Sequence, residues 1–202
     1  YLTQCGLDRK CATILQQLQD MVQLCATANV QLGSTVSCAR APALGTVALS
    51  IDGSFQIADG SAAAGMVLRN NEGSILFAAY RFIFHCNDSL EAELHAIMQV
   101  MVLAIQHSNL PMVLQSDSSK ALTSVSNAAL DRSAYGHLVL EIKDLLDSRE
   151  FVLQKISRSQ NRVADRLANY SGTERATTVW IGLVPPCIED LWPLDYNSMN
   201  LQ

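Results

Sequence analysis

Thr46-Val-Ala-Leu-Ser-Ile-Asp52 decides the fold of this chain. Val47, Leu49 and Ile51 fall on one face of an extended segment, and Ala48, Ser50 and Asp52 on the other. A period of two is a β-strand, here ending in an acid and followed by Gly53, which lets the backbone turn or a ligand approach closely. Downstream, Ser61 to Arg69 predicts a second strand and Asn70-Asn-Glu-Gly73 a hairpin turn. Ser74 to Cys86, rich in aromatic and β-branched residues, predicts a third, long strand.

The period then changes. Leu90, Leu94, Ile97, Met98, Met101, Val102 and Ile105 form the apolar stripe of a helix over Ser89 to His107, with Asp88 and Glu91 at capping-box spacing. Pro111 stops it, and Met112-Val-Leu-Gln-Ser-Asp117 predicts a fourth strand. Residues 118–128 and 134–147 read as helical, Phe151 to Ser157 as a fifth strand, and Asn161 to Tyr170 as a last helix. Hairpins give antiparallel neighbours and helical crossovers give parallel ones. The expected fold is α/β: a mixed five-stranded sheet, three antiparallel hairpin strands and then parallel strands, flanked by helices.

Outside that block, Leu7, Cys11, Ile14, Leu18, Met21, Val22 and Cys25 predict an amphipathic helix over about residues 7–28. It packs on the main domain or an upstream region, or serves as a dimerising seam. Sustained heptads are absent, which favours packing. The small residues, two Gly and one Pro of residues 33–45 read as a linker. The expected organisation is an N-terminal helix and linker over 1–45, the α/β domain over 46–175, and a tail over 176–202. That tail, with Pro185, Pro186 and Pro193, is expected to wrap the surface, anchored by Trp180 and Trp192.

Composition removes several classes. With 49% hydrophobic and 16% charged residues, most of the 202-residue chain cannot be disordered. Lys and Arg number 14 against 19 Asp and Glu, and the net charge of −5 excludes a strongly basic nucleic-acid wrapper, though not a local basic patch. The six cysteines form no C-x-x-C pair, so a zinc ribbon has no support and buried free thiols in a reducing compartment are expected. No stretch is long and apolar enough to span a bilayer, and no secretory signal opens the chain. A soluble intracellular protein, nuclear or cytoplasmic and without a membrane partner, is expected. Because the chain begins at Tyr1 rather than Met, a piece of something longer is expected too.

Chemistry concentrates in carboxylates. Asp52 and Asp117 end the first and fourth strands, which the topology makes parallel neighbours, so the two acids meet at the carboxyl edge of the sheet. Glu91 and Glu93, two residues apart on a helix, point about 200° apart. Glu93 shares a side with Ile97, Val100 and Met101, which must face the sheet, whereas the capping box accounts for Glu91. An acid among apolar neighbours at a helix start, close to strand ends, needs a partner such as a cation. Periodicity alone reads Asp165 as a solvated charge. A turn is the alternative for Asp52, and a helix cap for Asp117. Joined, Asp52, Glu93 and Asp117 make a hard-cation site suited to Mg2+ or Mn2+.

Five segments occur in order: Ser50-Ile-Asp-Gly-Ser-Phe55, Ala64-Gly-Met-Val-Leu-Arg69, Glu91-Ala-Glu-Leu-His-Ala-Ile97, Gln115-Ser-Asp-Ser118 and Ser159-Gln-Asn-Arg-Val-Ala-Asp-Arg-Leu-Ala168. Together they resemble the ribonuclease H domain, and in particular the plant reverse-transcriptase-like group derived from retroelements. The resemblance runs from about Val47 to Ala168, with Trp180 to Pro186 also similar to that group. It implies that Asp52, Glu93, Asp117 and Asp165 hold two Mg2+ ions, Asp52 bridging them, Glu93 and Asp117 holding one and Asp165 the other. For Asp165 this overrides the periodicity. It further implies Mg2+-dependent endonucleolytic hydrolysis of the RNA strand of RNA–DNA hybrids, leaving a 5′-phosphate and a 3′-hydroxyl. Selection of RNA would rest on the 2′-hydroxyl, met by backbone around Gly53, Ser54 and Phe55 and near Ser118. Arg158, Arg162 and Arg166 would meet phosphates, a solvated face being their alternative.

The sequence departs from that pattern in two places. Many ribonucleases H carry a catalytic His in the loop before the last helix, where this chain has Ser157-Arg-Ser-Gln-Asn161. Ser89 and Leu90 stand where an Asn often precedes the helix Glu. His85, His95, His107 and His137 are scattered and read as structural or surface residues. The alternative function is therefore a catalytically weak or inactive domesticated relative that binds nucleic acid or a protein partner through the same fold. A third reading, a metal-free α/β interaction module, would require the acids to be dispersed.

Overall fold

The computed structural model describes residues 42–129 and 131–192, so the amphipathic helix expected near the N-terminus lies outside the described residues. Strands β1 (Val47–Phe55), β2 (Ala62–Arg69) and β3 (Ile75–Ile83) run as successive hairpins. Helix α1 (Ser89–His107) follows, then β4 (Met112–Ser116), α2 (Ser119–Ser126), α3 (Gly136–Asp147), β5 (Phe151–Lys155), α4 (Arg162–Glu174) and β6 (Thr178–Ile181). The sheet order is β5-β4-β1-β2-β3-β6. Strand β4 lies parallel to both β1 and β5, while β1/β2, β2/β3 and β3/β6 are antiparallel.

The sheet thus has six strands, not five. Residues expected to wrap the surface instead form β6, whose Thr178 and Ile181 pair with Tyr80 and Phe77 of β3. Four half-buried residues at a sheet edge are too few to display alternation, and their register comes from β3. The Trp180 ring also packs at a tilt against Tyr80, with ring centroids 5.2 Å apart. A second correction concerns β1, which does not turn at Asp52 but continues to Phe55. The turn alternative for Asp52 therefore falls.

Two glycines set how the helices meet the sheet. A Cβ on Gly53 would stand 2.8 Å from backbone atoms of Ala92 and Glu93 in α1. A Cβ on Gly65 would stand 2.0 Å from the Ala164 carbonyl oxygen in α4. Gly53 pairs with Ala64 and Gly65 with Asp52, so these are adjacent register positions pointing to opposite faces. Helix α1 therefore covers one face at β1 and β2, and α4 the other, which buries every residue of β2. On the α4 side Val67, Ala78, Tyr80, Val163, Leu167, Ile188 and Trp192 form one core cluster, so the far end of the described chain closes the same core. Helix α3 packs on α1.

Among the described residues Cys86 and Cys187 are free thiols, and burial pushes Cys86 up to about 12, a non-reactive range. No helix of the described residues is long and apolar enough to cross a membrane.

Candidate active site

On the α4 face, neighbouring strands carry polar side chains at matching heights. Ser50 Oγ donates to Gln115 Oε1 (3.0 Å), and Gln115 Nε2 donates to Gln154 Oε1 (2.8 Å), a ladder across β1, β4 and β5 that is buried at its β1 end and half-buried at β5. Two residues further along, β1 presents Asp52 and the end of β4 presents Asp117. Period-two alternation puts both on the same face, and parallel pairing puts them side by side. Asp52 is 8% exposed and within hydrogen-bonding reach of the Asp117 carboxyl group.

Asp117 is held from three sides. Asn161 Nδ2 donates to its Oδ1 at 2.7 Å, Arg158 Nε donates to its Oδ2 at 3.3 Å, and Lys155 Nζ donates to its backbone carbonyl. The helix cap expected here is Ser118, whose hydroxyl accepts from the Ala121 N–H, and not Asp117. Glu93 reaches the cluster from the other face. The missing Cβ of Gly53 lets the first turn of α1 close on β1, and the Gly53 N–H donates to the Glu93 carboxylate. Asp88 caps α1 by accepting from the Glu91 N–H, while the Glu91 carboxylate closes on the Asn87 N–H. That leaves Glu93 as the acid facing the sheet. Asp165, in the first turn of α4, is solvent-exposed, yet its charge is felt at Asp52.

The electrostatics are those of crowded negative charge. Burial, then Asp117 and Asp165, push the Asp52 carboxyl from 3.8 up to about 7. Burial, then Asp52 and Asp117, push Glu93 from 4.5 to about 8. Glu93 Oε2 is shut off from solvent without a hydrogen-bond partner. Among the described residues Arg158 is the cation that opposes these shifts, and its side chain is 94% exposed, where water screens it. An orphaned carboxylate oxygen among like charges, with all-oxygen donors, fits a hard divalent cation such as Mg2+ or Mn2+. Among the described residues no three His, Cys, Asp or Glu side chains already stand in a metal-holding arrangement. The acids form an electrostatic cluster, with Asp117 turned toward Asn161 and Arg158.

The other residues singled out from the sequence divide. Ser54 Oγ donates to the Ala168 carbonyl (3.4 Å), Phe55 packs against the cluster of Ala62, Cys86 and Ala92, and Ser118 caps α2. Their side chains serve the fold, and Gly53 serves the approach of α1. Arg162 is exposed at the start of α4, and Arg166 pairs with Asp190 at 3.7 Å. Sequence reasoning missed Asn161, which is 2% exposed and donates through Nδ2 to both Asp117 and the Ile51 carbonyl (2.8 Å). No local pattern marks it, because both acceptors are far away in sequence.

Residues 50–171 match the family described as reverse transcriptase-like. RNase H1 from the halophilic archaeon Halobacterium salinarum NRC-1 is similar at a TM-score of 0.59 and 24% identity, over 65% of this chain and 100% of its own. The N-terminal RNase H domain of rv2228c from Mycobacterium tuberculosis gives 0.57 and 20% identity, over 65% of this chain and 99% of its own. LC11-RNase H1, solved in complex with an RNA/DNA hybrid, gives 0.53 and 17% identity, over 64% and 98%. At these identities the solved structures speak to the fold alone. No match is found among curated proteins. Since the match at residues 50–171 spans more than half of the 202 residues, the chain belongs to the reverse transcriptase-like family and carries a ribonuclease H-like domain.

Proposed function

We propose that this chain is a metal-dependent endonuclease that hydrolyses the RNA strand of RNA–DNA hybrids. The observation that carries the reading is the pair of buried acids, Asp52 and Glu93, which burial and the neighbouring carboxylates push well above the usual carboxylate range. Folding would not gather such groups without something to offset the cost. Asp52, Glu93, Asp117 and Asp165 would hold two Mg2+ ions, or Mn2+. When bound, such ions acidify a water and stabilise the leaving oxygen for attack at phosphorus.

The chain's own residues supply the rest. Asp52 stands on β1, inside the sheet, where pairing with Gly65 of β2 fixes its backbone. Glu93 is fixed by the Gly53 N–H and Asp117 by Asn161. Arg158 and Arg162, both exposed beside the start of α4, are placed to meet phosphate oxygens as a hybrid docks. Contacts to the 2′-hydroxyl from the Gly53–Phe55 and Ser118 stretches fall to their backbone groups, since the Ser54 and Ser118 hydroxyls are engaged within the fold.

The test is incubation of the full chain and Mg2+ with a labelled RNA–DNA hybrid, a DNA duplex and an RNA duplex in parallel. Cleavage of the hybrid's RNA strand alone, leaving 5′-phosphate ends, is expected. No cleavage, or equal cleavage of all three duplexes, would sink the proposal. One observation favours a second reading, a weak or inactive relative that binds without turnover. The loop before α4 lacks His, and the exposed Arg158 already pairs with Asp117 at 3.3 Å. Hybrid binding that persists without Mg2+, with no product at any Mg2+ concentration, would favour that reading.

A further inference from the structure

We infer that Asn161 is the positioning residue of the carboxylate cluster, orienting Asp117 against β1 and α4 without neutralising it. The inference rests on the proposed metal-dependent function. Asn161 is 2% exposed and touches all three elements that bring acids together on the α4 side. Its Nδ2 donates to the Ile51 carbonyl, one residue before Asp52, at 2.8 Å, and to Asp117 Oδ1 at 2.7 Å. Its own carbonyl accepts from the Asp165 N–H at 3.0 Å. One side chain and one peptide unit thus connect the backbone beside Asp52, the carboxylate of Asp117 and the first turn that carries Asp165.

Three features separate this from ordinary helix capping. Asn is a favoured N-cap, and Asn161 occupies that position on α4, yet its side chain makes no capping hydrogen bond. The amide orientation is not ambiguous, because both neighbours are acceptors and only the NH2 group can serve them. The two N–H bonds lie in the amide plane about 120° apart, so engaging both fixes that plane and with it the direction of the Asp117 carboxylate. Position matters too, since the β1–β4 register ends at Ser50 and Gln115. Beyond that pair Asn161 supplies a link between the two strands where the acids sit.

A neutral donor is what the site needs here. Lys or Arg in this buried position would cancel the Asp117 charge and compete with a metal ion. An amide orients the carboxylate and leaves its charge in place. Partners of this kind set ligand direction, and losing one weakens metal affinity or activity by about 10–100-fold.

The experiment compares the full chain with Asn161→Ala. Mg2+ binding is measured by calorimetry without nucleic acid, fold by circular dichroism and thermal melting, and hybrid cleavage across a Mg2+ titration. The expected result is an unchanged far-ultraviolet spectrum, a Mg2+ dissociation constant raised about 10–100-fold, and a cleavage half-saturation for Mg2+ raised in parallel. At saturating Mg2+ the KM for hybrid should stay unchanged. A melting temperature that falls while Mg2+ affinity stays equal to that of the unaltered protein would reduce Asn161 to a structural role and overturn the inference. An unaltered protein that binds no Mg2+ would overturn the proposed function and this role with it, a distinguishable outcome. Should Asn161→Ala not fold, the Asn161 side-chain amide of the unaltered protein is followed by NMR. Protection from solvent exchange and a shift along the Mg2+ titration are expected, and rapid exchange with no shift would contradict the role.

Discussion

Asp52→Asn should make the metal-free protein more stable at pH 8 while abolishing hybrid cleavage. Burial and the charges of Asp117 and Asp165 raise the Asp52 carboxyl from 3.8 to about 7. Between those values the folded chain keeps a proton that the unfolded chain has released, so stability falls as pH climbs from about 4 through about 7. At ~1.4 kcal/mol per unit, a rise of about three units sets an upper bound of roughly 4 kcal/mol. The Asn variant removes that penalty but alters the hydrogen bond with Asp117, worth about 1 kcal/mol. A net gain of about 2–3 kcal/mol at pH 8 follows, or a melting temperature higher by about 5–10 °C for a domain of this size. The assay is thermal melting in chelator at pH 4 and pH 8. At pH 4 the penalty shrinks below about 1 kcal/mol and the two proteins should nearly coincide. Adding Mg2+ at pH 8 should stabilise the unaltered protein more than the variant and narrow the gap. A variant that melts at or below the unaltered protein at pH 8, or a gap independent of pH, would refute the electrostatic reasoning.

Other outcomes follow from packing and charge. Gly65→Ala puts a methyl 2.0 Å from the Ala164 carbonyl oxygen, against backbone that cannot swing aside. Urea denaturation should show a loss of at least about 1–3 kcal/mol, and no loss would mean that α4 lies further from β2 than described. Trp192→Ala empties a 1% exposed site in the core under α4 and should cost about 3–5 kcal/mol by the same measurement. Arg158→Ala breaks an exposed ion pair and should leave the melting temperature almost unchanged. It should raise the KM for hybrid and reduce the salt slope of binding by about one, whereas an unchanged KM would rule out a phosphate contact.

Most of this fold was legible because its central strands and its main helix are long enough to display their period. The alternation of Val47, Leu49 and Ile51 and the apolar stripe of α1 were each sufficient to place an element. Strand β6 was not legible, because four edge residues carry no usable period and take their register from β3. The extension of β1 past Asp52 was hidden by Gly53, whose turn-like character serves the contact with α1. At the site, Asp52, Glu93 and Asp117 could be brought together from strand order and helix phase. Periodicity read Asp165 as a solvated charge, and it is exposed; its connection to the cluster is the charge it projects onto the buried Asp52, which no periodicity displays. The sequence assigned ligand contacts near Ser54, Phe55 and Ser118 to the backbone, and it does not show that packing and capping engage their side chains. Asn161 went unnoticed because its value lies in two acceptors, 110 and 44 residues away, that only the folded chain places together.

The most direct measurement of the central claim is the rate of Mg2+-dependent cleavage of a labelled RNA–DNA hybrid by the full chain beside Asp52→Asn, Glu93→Gln, Asp117→Asn and Asp165→Asn. The account predicts cleavage by the unaltered protein and a fall of orders of magnitude in all four variants, each still folded. Cleavage that survives Asp117→Asn undiminished, or hydrolysis that proceeds in chelator, would contradict it.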